Sequence, residues 1–180
     1  MRAEGYLLSD QLSLHSAAPD FALPADNGEL ITLKDCLRTG PVLVFFYPAD
    51  FTPVCTCEVV AFREDFQQYR QRNITIVGIS ADPVEKHHRF AAECRIPYHL
   101  LSDVDHTVAR AYGAKGLLGT RRAYYLIGRD GKLLWQHAEC LPVFKLSNAR
   151  ILEAIDHAIP PSPTGPAHEP STGFIPPPHM

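Results

Sequence analysis

One strand-turn-helix segment constrains the fold more than any other part of the chain. Residues 41–47 read Pro-Val-Leu-Val-Phe-Phe-Tyr, an unbroken apolar run that is typical of a strand buried on both faces of a sheet. Residues 58–72 carry apolar side chains at spacings of three and four, which predicts an amphipathic helix. Cys55 therefore falls at or near the N-terminus of this helix. Unpaired backbone N–H groups and the helix dipole stabilise an anion there, so the position favours a reactive, partly exposed thiolate.

The rest of the chain alternates between predicted strands and predicted helices. The strands are predicted over 42–47, 74–80, 98–101, 123–127 and 132–137. The helices are predicted over 58–72, 84–95, 107–112 and 147–159. Gly128-Arg-Asp-Gly131 is a hairpin signal between the last two strands, which makes them antiparallel. The pattern predicts an α/β fold with a mixed central β-sheet flanked by helices.

Length and composition predict one folded domain. At 180 residues, with 46% hydrophobic and 21% charged residues, the chain can bury a substantial core but is short for two domains. We expect a leader over 1–16, the globular domain over 17–159, and a tail over 160–180. The tail holds eight of the 16 prolines and has no hydrophobic periodicity, which predicts disorder. A docking role for its one apolar pair, Phe174-Ile175, is the alternative.

Charge and cysteine content narrow the function classes. A formal net charge of −3 and a pI near 6.3, with no basic block, argue against a nucleic-acid partner and favour a small neutral substrate. No signal-peptide h-region and no membrane-spanning stretch is apparent, so we expect a cytoplasmic protein without a membrane partner. Five cysteines are an odd number for a disulfide framework. Reduced thiols with at most one functional disulfide are expected.

The segment around Cys55 also resembles a known active site. Pro48, Thr52 and Cys55 match the Pro-x-x-x-Thr-x-x-Cys pattern of the peroxiredoxins, and Glu58 matches an acidic residue often found three positions later. The chain resembles the bacterioferritin-comigratory-protein (Q-type) branch of this AhpC/TSA superfamily. The similarity runs from Ala-Pro-Asp-Phe-Ala-Leu-Pro at 18–24 to the helix ending near residue 159. It implies a thioredoxin-like fold.

The resemblance also implies a role for each motif residue. Peroxide reduction needs a thiolate nucleophile and hydrogen-bond donors for the leaving oxygen. The nucleophile is Cys55, while Thr52 donates to the thiolate or positions the peroxide and Pro48 shields the site from bulk water. Without the motif, an inert buried cysteine would be the simpler interpretation of Cys55.

A guanidinium is expected beside the thiolate, because arginine stays charged at any working pH. The family's active-site arginine precedes an apolar strand, and aligning that strand with Tyr-Leu-Ile-Gly at 125–128 selects Arg122. Only one of Arg121 and Arg122 can point at Cys55, since successive strand residues face opposite ways. Arg121 is expected to be a solvated surface charge. Glu58 either orients the arginine or is an ordinary acidic residue in a first helical turn.

The route that returns the oxidised cysteine to the thiol is open. Many Q-type members carry a resolving cysteine five residues after the nucleophile, where this chain has Val60. Cys57 would project away from the nucleophile on a helix and is poorly placed. Cys94 resembles the resolving cysteine of members that place it in this later helix. Cys140 could bond another subunit, and Cys36 is expected to be structural. If none resolves, an external thiol regenerates a one-cysteine enzyme.

The leading hypothesis is a thiol-dependent peroxidase for hydrogen peroxide or alkyl hydroperoxides. It would be recycled by a thioredoxin- or glutaredoxin-type donor or a small thiol, with no cofactor and no metal, as a monomer or homodimer. The alternatives are a redox sensor or chaperone, and a copper-delivery or redox-assembly protein, whose cysteine spacing Cys55-Thr-Cys57 does not match. The scattered histidines are interpreted as solvated, among them His87, His88, His99 and His106. Trp135 is interpreted as core packing.

Overall fold

The structure is a computed structural model that describes residues 12–139 and 145–159. Its strands are β1 (Ala22–Pro24), β2 (Leu30–Thr32), β3 (Val42–Phe46), β4 (Thr75–Ser80), β5 (His99–Ser102), β6 (Lys115–Gly116), β7 (Gly119–Thr120), β8 (Ala123–Ile127) and β9 (Leu133–Ala138). Its helices are α1 (Leu33–Thr39), α2 (Pro53–Glu64), α3 (Phe66–Gln71), α4 (Val84–Cys94), α5 (Thr107–Ala111) and α6 (Asn148–Ala158).

A five-stranded mixed sheet forms the centre of the fold, as predicted. The strand order is β5-β4-β3-β8-β9, with β3, β4 and β5 parallel and with β8 and β9 antiparallel to their neighbours. The predicted hairpin joins β8 to β9, and Gly131 adopts the positive φ of 77° that suits glycine in such a turn.

The strand β3 is central because its apolar residues supply both faces of the sheet. Val44 and Phe46 pack into the hydrophobic cluster on one face, and Phe45 and Tyr47 pack into the cluster on the other. Each of these side chains is fully buried. A strand with polar residues on one face could not occupy this position, because its polar groups would be buried without solvent.

The predicted helix over 58–72 is wrong in its bounds. The segment forms two helices, α2 and α3, which meet at Asp65. Its apolar spacing is nevertheless that of a buried face, with Phe62 and Tyr69 both fully covered. The first helix begins at Pro53, because proline has a preset φ and lacks an N–H that the first helical turn would leave unpaired. The short elements β1, β2, α1, β6 and β7 were not predicted.

The fold extends into the segment predicted as a leader. His15 N donates to Leu133 O at 2.7 Å, and Gln136 Nε2 donates to Leu12 O at 2.7 Å, so this segment adds to the β9 edge. The predicted tail over 160–180 and Cys140 lie outside the described residues. Within the described ranges, no helix is both long and apolar enough to cross a membrane.

Candidate active site

Cys55 is the third residue of α2 and faces the sheet. It shares a helix face with Val59 and Phe62, which lie one and two turns later, and all three pack in one hydrophobic cluster. Its side chain is only 1% exposed, so the expectation of a partly exposed thiol is wrong. The reason is that a small, weakly polar thiol on the inner face of an amphipathic helix packs like an apolar residue.

Arg122, the residue directly before β8, covers the sulfur. Its Nη2 lies 3.3 Å from Cys55 Sγ, and the side chain is 1% exposed. Arg121 is exposed, and its Nη2 donates to Gly113 O at 2.8 Å. Arg122, and not Arg121, therefore lies beside the thiol, as predicted. The catalytic role of Arg122 stays a prediction.

Glu58 fixes the guanidinium from the next turn of α2. Its Oε2 accepts a hydrogen bond from Arg122 Nη1, and both side chains are buried. Two interpretations of Glu58 were open, and this contact with Arg122 agrees with the one in which Glu58 orients the arginine. A buried carboxylate and a buried guanidinium each offset the desolvation cost of the other.

Tyr124 extends this contact and was missed in the sequence. Its hydroxyl donates to Glu58 Oε1 and accepts from Leu146 N at 3.2 Å. Burial raises the pKa of Tyr124, which outweighs the opposing effect of Arg122, so the phenol stays a donor to the carboxylate. The signal was available, because strand alternation places residue 124 on the same face as Arg122.

Thr52 and Pro48 lie in the loop between β3 and α2. Thr52 is the N-cap residue of α2, and its hydroxyl donates to Ala49 O at 3.1 Å. The single hydroxyl hydrogen is thus committed to the loop rather than to the thiolate, while the oxygen keeps lone pairs that can accept a hydrogen bond. Pro48 is half-buried. The positioning role of Thr52 and the shielding role of Pro48 stay predictions.

The histidines are not uniformly solvated, so that prediction is wrong. His87 is fully buried, and its Nδ1 lies 2.8 Å from Asp50 Oδ2. It is buried because it lies on the inner face of α4 with Phe90, at a spacing of three. His99 and His106 are half-buried, and His88 is exposed. Among the residues that the structure describes, no cluster of histidine, cysteine and acidic side chains could hold a metal ion.

The other described cysteines differ in exposure. Cys57 is exposed, whereas burial raises the pKa of Cys36 to about 11 and makes its thiol unreactive. Cys94 is the half-buried last residue of α4. It follows Phe90 by one helical turn, and the Phe90 ring contacts the Phe51 ring at 4.9 Å between centroids. The face of α4 that carries Cys94 therefore packs against the loop before α2.

Trp135 is half-buried, and its ring stacks on the imidazole of the neighbouring β9 histidine.

Comparison with known proteins decides the family. The model of the AhpC/TSA family matches residues 14–136. The chain belongs to the AhpC/TSA family. Peroxiredoxin Bcp of Bacillus subtilis is 32% identical to it over 131 residues, which are 68% of this chain and 83% of that protein. Chloroplastic peroxiredoxin Q of Arabidopsis thaliana is 36% identical over 128 residues, 69% of this chain and 59% of that one.

Solved structures of the same family agree. The crystal structure of peroxidoxin BcpB from Mycobacterium tuberculosis superposes with a TM-score of 0.73 and 35% identity, covering 82% of this chain and 97% of that one. The expected Bcp/Q-type resemblance and the thioredoxin-like fold are thereby confirmed.

Proposed function

We propose that this AhpC/TSA protein is a thiol-dependent peroxidase whose nucleophile is Cys55. The observation that supports the proposal best is the 3.3 Å contact between Arg122 Nη2 and Cys55 Sγ at the start of a helix. A guanidinium and a helix N-terminus both favour the thiolate over the thiol. Glu58 and Tyr124 hold the guanidinium in place, so the site needs little rearrangement before it reacts.

The reaction that this arrangement supports is a displacement at peroxide oxygen. The Cys55 thiolate attacks the terminal oxygen of a hydroperoxide, an S–O bond forms, and the O–O bond breaks. The sulfur is oxidised to sulfenic acid, while the other oxygen leaves with both electrons of the broken bond, takes a proton, and becomes water or an alcohol. Arg122 stabilises the negative charge that develops on the leaving oxygen. Thr52 Oγ1 can accept a hydrogen bond from the peroxide.

The burial of Cys55 favours small substrates. With the sulfur covered by Arg122 and by apolar neighbours, a compact neutral peroxide reaches it more easily than a bulky one. Hydrogen peroxide and small alkyl hydroperoxides are the proposed substrates. The cytoplasm is the proposed compartment, and a thioredoxin- or glutaredoxin-type protein or a small thiol is the proposed reductant.

Cys94 is the proposed resolving cysteine, and an external thiol is the competing route. Support comes from the packing of the Cys94 face of α4 against the loop that leads into α2. Both thiols are free in this structure, and a disulfide between them requires Cα atoms within about 7 Å. We expect local unwinding of the first turn of α2 to release the buried Cys55 toward Cys94.

Replacement of the nucleophile tests the proposal. The Cys55→Ser variant should lose peroxidase turnover with thiol reductants, and Cys57→Ser should keep it because that exposed thiol lies off the buried face of α2. Arg122→Ala should slow Cys55 oxidation by about 10²-fold, as expected when a transition-state donor is lost, and Arg121→Ala should not. Turnover retained by a folded Cys55→Ser variant would refute the mechanism. Oxidation of Cys55 in the native chain without turnover would instead indicate a redox sensor.

A further inference from the structure

The loop before α2 is held by a buried polar cluster that the proposed reaction does not use. Tyr47, Asp50 and His87 form this cluster, and none of the three side chains is more than 2% exposed. Tyr47 OH donates to Asp50 Oδ1 at 2.6 Å, and His87 Nδ1 lies 2.8 Å from Asp50 Oδ2. Burying a carboxylate is costly unless it is paired, so these two partners are needed to keep Asp50 inside the protein.

Both ring nitrogens of His87 have hydrogen-bond partners. His87 Nε2 lies 3.2 Å from Leu101 O, a carbonyl that can only accept, so Nε2 carries a hydrogen in this contact. His87 Nδ1 faces Asp50 Oδ2, and the Tyr47 hydroxyl oxygen lies 3.4 Å from the same nitrogen. The ring is therefore fixed at both ends, between the loop and the β5 backbone.

Asp50 is the anchor point of the loop over 48–52. Its backbone N–H donates to Asp82 Oδ2 at 2.7 Å, so its main chain is held as well as its side chain. The next residue, Phe51, has a φ of 63°, which bulky side chains rarely adopt. Such a conformation persists only where the surroundings enforce it. Here the Asp50 contacts enforce it on one side and the packing of Phe51 against Phe90 on the other.

Thr52 follows directly, and its position depends on this anchor. Its hydroxyl donates to Ala49 O, on the far side of Asp50, so the side chain is oriented by the loop itself. We propose that the buried Asp50–His87 pair positions Thr52 for the peroxide, so that His87 is a positioning residue of this active site. The inference rests on the proposed peroxidase function. Neither Asp50 nor His87 contacts the sulfur through the hydrogen bonds described above, so their effect must pass through the loop.

Two substitutions at His87 separate positioning from general stability. In His87→Asn the amide nitrogen can occupy the place of Nδ1 and keep the bond to Asp50. In His87→Gln it reaches instead toward the place of Nε2, so the bond to Asp50 is lost while the bond to Leu101 O is kept. His88→Gln is the matched control, because His88 is the next residue of α4 and is exposed. The readout is the single-turnover rate of sulfenic acid formation with hydrogen peroxide, followed by rapid quench and mass spectrometry.

His87→Gln should slow sulfenic acid formation by about tenfold or more, since small misplacements of a positioned group have large kinetic effects. His87→Asn should retain most of the rate, and His88→Gln all of it. The alkylation rate of Cys55 should stay the same in all three variants, because Arg122 and Glu58 are not disturbed. In a Thr52→Val background, His87→Gln should have almost no further effect, because the group that it positions is gone.

The outcomes distinguish the inference from the proposed function. The positioning role is overturned if His87→Asn and His87→Gln slow sulfenic acid formation equally. It is also overturned if the rate reductions of His87→Gln and Thr52→Val multiply in the double variant. If Thr52→Val slows oxidation and His87→Gln behaves like His88→Gln, the inference fails and the proposed function stands. If Cys55→Ser still turns over, the proposed function fails first. Should His87→Gln not fold, Tyr47→Phe removes one bond of Asp50 and must show the same non-additivity with Thr52→Val.

Discussion

Removal of the Glu58 charge should destabilise the protein far more than removal of an exposed charge. In Glu58→Gln, the Arg122 guanidinium stays buried but loses its carboxylate partner. Breaking a buried ion pair by removing one partner costs about 3–5 kcal/mol, because the remaining buried charge loses the carboxylate that offset its desolvation. For a chain of 180 residues, each kcal/mol lowers the melting temperature by about 2–4 °C. The expected fall is therefore about 6–20 °C.

The ion pair between Arg72 and Asp156 provides the matched control. Its geometry is good, with Arg72 Nε 2.6 Å and Nη2 2.8 Å from the carboxylate oxygens, but the Asp156 side chain is 47% exposed. Solvent screens such a pair, so Asp156→Asn should cost no more than about 1 kcal/mol. Its melting temperature should therefore fall by about 4 °C at most.

Thermal unfolding of the reduced proteins, followed by circular dichroism and calorimetry, measures both effects. A double variant, Glu58→Gln with Arg122→Met, should melt above Glu58→Gln alone, because it removes the buried guanidinium together with the carboxylate that offset its desolvation. The reasoning is refuted if Glu58→Gln melts within a few degrees of Asp156→Asn. It is also refuted if the double variant is the least stable of the set.

Three further predictions concern recycling, packing and pH. Cys94→Ser should leave sulfenic acid formation fast but stop turnover with thioredoxin, and it should increase over-oxidation of Cys55 to sulfinic acid. If the variant turns over normally and mass spectrometry finds no intramolecular disulfide in the native chain, an external thiol reduces the sulfenic acid instead. Tyr69→Phe should raise the melting temperature, because no described residue offers a hydrogen-bond partner to the buried Tyr69 hydroxyl. Tyr98→Phe should lower the melting temperature, because the Tyr98 hydroxyl donates to a main-chain carbonyl. A Tyr69→Phe variant that melts below Tyr98→Phe would contradict this reasoning. His99 Nδ1 lies 3.6 Å from Asp26 Oδ1, and its interaction with this carboxylate raises the pKa of His99. His99 therefore stabilises the fold below its ordinary pKa of about 6.5, and this contribution is lost as the pH rises through the raised value. The stability difference between the native chain and His99→Gln should accordingly be largest in mild acid and vanish in mild base, and a pH-independent difference in urea titrations would exclude it.

Much of the candidate site follows from local periodicity. The apolar run of β3 predicted a strand buried on both faces, and Val44 and Phe45 do face opposite clusters. Strand alternation predicted that only one of Arg121 and Arg122 could face Cys55, and the resemblance to the peroxiredoxins selected Arg122. These predictions succeeded because side-chain direction repeats every two residues in a strand, whatever the rest of the chain does.

Contacts between distant segments were beyond such patterns. The bond between Tyr124 and Glu58 joins residues 66 apart, and that between His87 and Asp50 joins residues 37 apart. A histidine on an amphipathic helix is compatible with solvent or with a core, and only the packing of α4 on the loop made His87 buried. Tertiary packing also decides the break between α2 and α3 and the positions of the short strands that were not predicted. A strand of two or three residues is too short to show a recognisable hydrophobic periodicity.

The sequence by itself determined the strand-turn-helix framework and the cysteine at the helix start, because both depend on local geometry, whereas the choice of Arg122 came from the resemblance to the peroxiredoxins. Only the tertiary structure decided that Cys55 is buried, that Glu58 pairs with Arg122 and that Asp50 pairs with His87. The physical reason is that burial and pairing depend on which elements pack together, and desolvation then makes each buried charge depend on a partner far away in the chain.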